Sequence, residues 1–148
     1  EEALEDRAGR DLVLARLMEV LLVEALRTVQ EDTPAGLLRG LADPRLSDAL
    51  RLMHGDPAGN WTVGRLADAA ALSRSAFFER FTRVVGMAPM EYLLAWRMAL
   101  ARDFLRTGAI PLAEVAGRTG YGAPSAFSTA FARHTGVPPG RFAREAAT

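Results

Sequence analysis

The chain contains two imperfect copies of one sequence pattern, at residues 66–92 and 115–142, and this duplication limits its folds more than any other feature. The residues of the first copy that return 50 positions later are Ser75, Ala76, Phe77, Phe81, Arg83, Gly86, Pro89 and Tyr92, the last of them as Phe142. A period of this size marks a duplicated supersecondary unit. Each copy is typical of a short helix, a tight turn and a second helix that is stopped by Gly and Pro. The sequence therefore predicts two helix-turn-helix units, an arrangement that points to DNA.

The composition excludes several kinds of chemistry. With 148 residues, 49% of them hydrophobic, the chain can bury a real core in one domain or a small pair. It has no cysteine, which excludes disulfides, thiolate metal sites and the thiolate that a DNA-repair methyl acceptor would need. His54 and His134 lie 80 positions apart, and neither belongs to a spaced ligand motif. We therefore expect no enzyme activity, no catalytic residue, no metal and no cofactor. The sequence also has no apolar run of about 18 residues, so no membrane span is expected.

The charge is zero overall but unevenly distributed. Residues 1–60 carry 12 acids and 7 arginines, whereas residues 61–148 carry 6 acids and 11 arginines. Such asymmetry favours a polyanion as the partner of the C-terminal part. Mutual neutralisation of the two halves is the alternative that charge alone leaves open.

The first part of the chain, residues 1–58, is predicted to be a helical linker that serves dimerisation or the docking of a sensor domain. A helix over 11–30 is apolar almost all round, so it needs partners on several sides, either a second chain or a domain missing from this sequence. Thr33 and Asp43 each precede a proline and are predicted to cap short helices at 34–41 and 44–54. Because the sequence begins without Met, we expect it to be part of a longer protein.

The second part, residues 59–146, is predicted to be all-α and to contain both helix-turn-helix units. Its predicted elements are a first unit at about 62–86, a connecting helix at about 89–107, a second unit at about 111–136 and a last helix through about 146. Thr62 and Ser73 are predicted N-caps, and Ala123 is a poor one. The second helices of the two units, at about 74–85 and 124–135, are the predicted recognition helices.

Helical periodicity separates an inner from an outer face on each recognition helix. Phe77 and Phe81 in the first copy, and Phe127 and Phe131 in the second, form the predicted core stripes. The outer and flanking positions give the candidate base contacts Ser75, Phe78, Glu79, Ser125, Ser128 and Thr129. The candidate phosphate contacts are Arg74, Arg83, Arg97 and Arg133. Short side chains on such a face allow a helix to seat deeply in the major groove, which is about 12 Å wide.

Some of these assignments have alternatives. Phe78 either touches a thymine methyl or covers the core, and Glu79 repels phosphates but can accept from a cytosine amino group. Arg97 forms either a structural salt bridge or a phosphate contact. Trp61 and Trp96 are predicted to be core residues, and stacking on bases is the alternative.

The connecting helix, taken as about 17 residues, spans roughly 25 Å at about 1.5 Å per residue. With its flanking turns it can hold two recognition helices about one DNA turn apart, roughly 34 Å. Both helices would then enter successive major grooves on one side of the duplex.

Residues 61–144 closely resemble the DNA-binding domain of the AraC/XylS family of bacterial transcription regulators. The residues that carry the resemblance are Leu66-Ala67, Leu72-Ser73, Phe77, Phe81, Gly86, Pro89, Tyr92-Leu93, Arg97, Ala101, Leu105, Ile110-Pro111, Val115-Ala116, Gly120-Tyr121, Phe127, Phe131, Gly136, Pro138-Pro139 and Phe142. Phe78 and Glu79 depart from the polar or basic residues that many members have at those positions.

The resemblance implies a sequence-specific regulator, an activator or a repressor, that binds double-stranded DNA and RNA polymerase in the bacterial cytoplasm, at the nucleoid. In the subfamily that the chain is most similar to, a cupin-type sensor barrel comes first, and residues 11–55 resemble the segment that joins it to the DNA-binding part. The alternative function is a helical protein-interaction module that has lost DNA binding.

Overall fold

The computed structural model describes residues 15–22 and 36–148, and this part of the chain is helical with no strand. The helices are α1 (residues 15–22), α2 (Gly36–Ala42), α3 (Ser47–Gly55), α4 (Val63–Ala69), α5 (Arg74–Val85), α6 (Pro89–Thr107), α7 (Leu112–Arg118), α8 (Pro124–Thr135) and α9 (Pro139–Ala146). The all-α prediction is thus confirmed for the described residues. The cap predicted at Thr33 and the remainder of the helix predicted over 11–30 lie outside them.

Helices α4 and α5 form the first helix-turn-helix, and its helix starts follow from side-chain caps. The Thr62 hydroxyl accepts from the Arg65 amide at 3.1 Å, and the Ser73 hydroxyl accepts from the Ala76 amide at 3.2 Å. Each bond satisfies a first-turn amide that has no partner within the helix. Helix α5 ends at Gly86, whose φ of +93° favours glycine.

Helices α7 and α8 repeat this arrangement in the second unit. No side chain caps α8 at Ala123, and the helix begins directly at Pro124, a residue suited to the first turn. Gly136, with φ +85°, ends α8 as Gly86 ends α5. Helix α6 connects the two units, and its 19 residues span about 28 Å at about 1.5 Å per residue.

The helix predicted over 44–54 begins later than expected, although the side chain of Asp43 makes the bond predicted for it. Helix α3 begins three residues later, at Ser47, and Leu46 occupies the cap position without a side-chain bond. The Asp43 carboxylate accepts from the Arg45 amide at 2.9 Å and pairs with Arg80 of α5 at 2.9 Å. The same carboxylate thus makes a local cap bond and a tertiary ion pair.

Two hydrophobic cores lie along α6. The first is formed by fully buried residues of α3, α4 and α5 together with the first half of α6, including Leu50, Leu66, Phe77, Phe81 and Leu93. The second contains Met98, Ala101 and Leu105 of α6 with Val115, Ala116, Phe127 and Phe131. Residues Leu38–Thr148 form one compact unit that contains both cores. The functional division predicted between residues 58 and 59 stays a prediction.

Candidate nucleic-acid interface

The exposed face of α5 is fixed by what the helix buries. Phe77 and Phe81 are fully buried, with ring centroids 5.6 Å apart. Because side chains three or four residues apart share a face, this anchor turns Ser75 and Glu79 outward, and both are exposed. Phe78 is 46% exposed, so about half of the surface of this residue is accessible to a partner.

Helix α8 presents the same positions for the same reason. Phe127 and Phe131 are fully buried with centroids 5.6 Å apart, the value found in α5. Ser125 and Thr129 are exposed, whereas Ser128 is half-buried. The two predicted recognition helices therefore carry equivalent outer faces.

A threonine on each outer face donates its hydroxyl hydrogen to its own helix. Thr82 donates to the Phe78 carbonyl at 2.7 Å, and Thr129 donates to the Ser125 carbonyl at 3.0 Å. A hydroxyl bonded in this way offers an incoming group only acceptor lone pairs and a methyl. Thr129 and Glu79, which occupy equivalent positions in the repeat, are thus both acceptors.

The charges on the two recognition helices differ. The Arg83 Nη1 lies 4.0 Å from the Glu79 Oε1, one turn earlier on α5. Arg133 has Thr129 at the equivalent position, and α8 contains no acidic residue. Arg74 crosses the first turn of α4, since a Cβ on Gly64 would lie 2.9 Å from the Arg74 Nε. Arg74, Arg83 and Arg133 are all exposed, so their guanidinium groups are accessible to phosphates.

Arg97 lies apart from these three arginines. Its Nε donates to the Pro57 carbonyl at 2.7 Å and its Nη2 to the Gly59 carbonyl at 2.9 Å. The side chain is half-buried, and this burial lowers the pKa of the guanidinium from its ordinary value. Arg97 is therefore held by backbone carbonyls, and it forms no salt bridge with another of the described residues. Its phosphate contact stays a prediction.

A cluster of His54, Tyr92 and Trp96, which the sequence did not predict, joins α3 to α6. His54 shares a hydrogen bond with the Tyr92 hydroxyl at 2.5 Å and stacks on Trp96 with centroids 4.4 Å apart. Burial lowers the pKa of His54 and raises the pKa of Tyr92. Neither histidine had a motif to mark it, so the sequence offered no signal for this contact. Trp96 and Trp61 are half-buried rather than fully enclosed.

Residues 15–22 and 36–148 contain neither a candidate metal site nor a candidate membrane span. No group of three or more His, Cys, Asp or Glu is placed to hold a metal ion there. Within the same residues, no helix combines the length and apolarity that a membrane crossing requires.

Two helix-turn-helix units with equivalent exposed faces, joined by one helix, define a DNA-binding domain of the double helix-turn-helix class. The sequence pattern of the family described as "Helix-turn-helix domain" matches residues 66–145, more than half of the chain. The chain belongs to this family, in its AraC-type branch, whose members are transcription regulators.

The curated relatives give the same result. A putative AraC-like transcription regulator from Streptomyces antibioticus is 47% identical over 134 residues, which cover 88% of this chain and 44% of that protein. The regulator AlkR of Acinetobacter baylyi is 36% identical over 139 residues, 93% of this chain and 45% of that protein. The chain thus spans just under half the length of these relatives.

Solved structures show the same fold. The DNA-binding domain of AdpA, crystallised with a target DNA, matches with a TM-score of 0.64 and 30% identity, over 70% of this chain and 92% of that one. An AraC-type regulator from Chromobacterium violaceum matches with a TM-score of 0.63 at 22% identity, over 71% of this chain and 94% of that one, which supports the fold alone.

Proposed function

We propose that this chain is the sequence-specific DNA-binding part of a transcription regulator and that α5 and α8 enter successive major grooves of one duplex. The observation that carries the proposal is the equivalence of the two outer faces, each fixed by a buried phenylalanine pair on a helix of 12 residues. The formal charge of Leu38–Thr148 supports it, since 14 arginines stand against 9 acids, a balance of +5.

The base contacts belong to the first half of each recognition helix, which meets base edges in helix-turn-helix docking. Ser75, Glu79, Ser125 and Thr129 are the central residues, with Phe78 and Ser128 at the flanks. Because Glu79 and Thr129 are both acceptors, each selects a base with an exocyclic amino group in the major groove, adenine or cytosine. The Thr129 methyl also suits a neighbouring thymine methyl.

Site selection from random DNA tests this assignment. The wild-type chain should recover a site with two half-sites about one helical turn apart. Glu79→Gln, which gains an amide donor, and Thr129→Val, which loses the acceptor, should each change the preferred base at one position, by about 1–3 kcal/mol of discrimination. Glu145→Gln, on α9, provides a matched control for the loss of a carboxylate. If both Glu79→Gln and Thr129→Val kept the wild-type base preference, the assignment of the base contacts to these outer faces would be refuted.

A wild-type chain that shows no salt-dependent DNA binding would refute the function itself and favour the protein-interaction module. Specific binding falls steeply with added salt because phosphate contacts release counterions. Affinity at several salt concentrations therefore distinguishes the two functions in one measurement.

We further propose that helix α1 pairs with a second copy of the chain. Helix α1 exposes Leu17, Met18, Val20, Leu21 and Leu22 by 53–70%, an apolar surface that suits a second copy of this chain. We expect sedimentation to show a dimer that Leu21→Asp dissociates, and a strict monomer would contradict the pairing.

Docking of a preceding sensor domain is the competing role of this segment. We also propose RNA polymerase as a partner and the nucleoid of the bacterial cytoplasm as the location, and membership of the family supports both.

A further inference from the structure

Arg97 lies at the middle of α6, where three parts of the domain meet. Its two bonds to the Pro57 and Gly59 carbonyls hold the loop that leads into the first helix-turn-helix. Since the two donors belong to one planar guanidinium, the pair of bonds fixes the orientation of the whole group.

The same guanidinium also lies against the turn of the second helix-turn-helix. A Cβ on Gly120 would lie only 2.8 Å from the Arg97 Cζ and 2.8 Å from its Nη2. Gly120 has φ +87°, and the following amide of Tyr121 bonds to the Ala116 carbonyl of α7 at 2.9 Å. Tyr121 packs edge-on against Phe127 of α8 with centroids 5.7 Å apart. The position of this turn is therefore tied to the second recognition helix.

The loop at residues 57–61, which Arg97 holds through two carbonyls, is also held by contacts of its own. The Trp61 Nε1 donates to the Asp56 carbonyl at 2.7 Å, and the Arg65 guanidinium lies 5.0 Å from the Trp61 ring centroid. Arg65 also donates to the Asn60 carbonyl. Because Arg65 belongs to α4, the carbonyls that Arg97 holds are connected to the first unit.

Elsewhere the two units are linked mainly through α6. The principal packed pairs of the first unit are α3–α4, α4–α5 and α5–α6, and those of the second are α6–α7, α6–α9, α7–α8 and α8–α9. Two units that share one helix can rotate relative to each other about that helix. Their relative orientation therefore depends on contacts made between the units beside α6. Arg97 makes such contacts, since it bonds to the loop that leads into the first unit and lies against the turn of the second.

We propose that Arg97 is a positioning residue that fixes the orientation of the second helix-turn-helix relative to the first and so sets the half-site spacing that the domain accepts. This inference rests on the proposed DNA-binding function. Spacing is a sensitive measure of orientation, because one base pair moves a half-site by about 3.4 Å and rotates it by about 35°, given about 10 base pairs per 34 Å turn.

The test uses the full 148-residue chain with Arg97→Lys and Arg97→Gln, and with Arg102→Lys and Arg102→Gln on the same helix as matched controls. Lysine keeps the charge but cannot bond two carbonyls with one rigid plane. Each variant is measured on the selected duplex and on duplexes with one base pair inserted or removed between the half-sites. Wild type and both controls should lose affinity by about tenfold or more on the altered duplexes, the effect of a poorly contacted base pair.

Arg97→Lys and Arg97→Gln should bind the three duplexes within a few-fold of one another while keeping the wild-type salt slope. Full spacing discrimination in Arg97→Lys would overturn the proposal. So would a salt slope that becomes shallower by about one unit in Arg97→Gln and not in Arg97→Lys, the signature of a phosphate contact.

A readout without DNA separates this proposal from the function on which it rests. The chain has no cysteine, so Asp68→Cys on α4 and Ala113→Cys on α7, both exposed positions, accept a single pair of spin labels. The proposal requires a narrow distance distribution in the otherwise wild-type chain, which broadens with Arg97→Lys and stays narrow with Arg102→Lys. A broad distribution in the wild-type background would overturn the proposal whether or not the chain binds DNA. A narrow distribution that Arg97→Lys broadens, in a chain without DNA affinity, would refute only the function.

Discussion

At the scale of single residues, two phenylalanine pairs fix the orientation of the recognition helices. Phe77 and Phe81 on α5, and Phe127 and Phe131 on α8, are all fully buried. Phe81 also meets Tyr92 of α6 edge-on at 5.8 Å, and Phe131 meets Phe142 of α9 at 5.4 Å. Each pair thus links a recognition helix to the rest of its core, and the exposed face follows from that link.

Removing one of these rings should destabilise its own core. Phe81→Ala and Phe131→Ala should each lower the free energy of unfolding by about 3–5 kcal/mol, the sum of lost burial and the remaining cavity. Denaturant unfolding measures the loss, with Phe78→Ala, at an exposed position, as the control. Full thermal stability in either core variant would mean that the helical phase assigned here is wrong.

One position of the repeat has a left-handed backbone in both copies but different residues. Ala71 has φ +54°, and Gly120, its equivalent in the second copy, has φ +87°. A side chain in this region costs about 1–2 kcal/mol. Gly120→Ala should therefore lower the free energy of unfolding by at least about 1 kcal/mol, since its Cβ would also crowd Arg97.

The exchange in the first copy should not cause a comparable loss of stability. Ala71→Gly relieves the backbone strain at some entropic cost, so we expect stability to change by less than about 1 kcal/mol or to rise. Thermal unfolding of both variants decides this. Equal losses in the two would contradict an origin in the backbone conformation.

At the scale of elements, α3 belongs to the first core. Ala49, Leu50 and Met53 are fully buried, and His54 reaches Tyr92 and Trp96 of α6. The ion pair of Asp43 with Arg80 adds a link between the α2–α3 turn and α5. Although burial raises the pKa of Asp43, the hydrogen bonds from Arg80 and the Arg45 amide bring it below its usual value.

The contact of His54 should make stability depend on pH. Since burial lowers its pKa below 6.5, the unfolded chain binds more protons than the folded one as the pH falls below that value. The free energy of unfolding should therefore fall as the pH is lowered from about 7.5 to about 5, the range in which an ordinary imidazole titrates. Asp43 loses its contribution only at a lower pH, because its pKa lies below 3.8.

Denaturant unfolding at several pH values measures this dependence. His54→Gln should be less stable than wild type at pH 7.5 but should lose less stability on acidification to about pH 5. An unchanged slope in His54→Gln would show that the buried imidazole is not its source.

At the scale of the whole molecule, function depends on an excess of arginine that is shared unequally between the two recognition helices. Arg83 is near Glu79, whereas Arg133 has no acid on its own helix. We therefore expect α8 to contribute more to binding that is independent of sequence.

Arg133→Ala should weaken binding to all sequences alike and make the salt dependence shallower by roughly one unit. Arg141→Ala on α9 removes the same charge from an arginine that pairs with Glu145 at 2.9 Å, and it should leave the salt slope unchanged. Affinity at four or five salt concentrations compares them. A change of base preference in Arg133→Ala would instead place this residue among the base contacts.

The sequence by itself determined the two helix-turn-helix units, the caps of the first unit at Thr62 and Ser73, and the faces of α5 and α8. These features depend on spacing within one helix or one turn, and such local geometry is written in the order of residues. The tertiary structure decided which partners distant side chains take. Asp43 pairs with Arg80, His54 with Tyr92, and Arg97 with two carbonyls some 40 positions away and with the turn at Gly120. Those partners follow from how α3, α5 and α6 pack, because contacts between remote segments leave no period in the sequence.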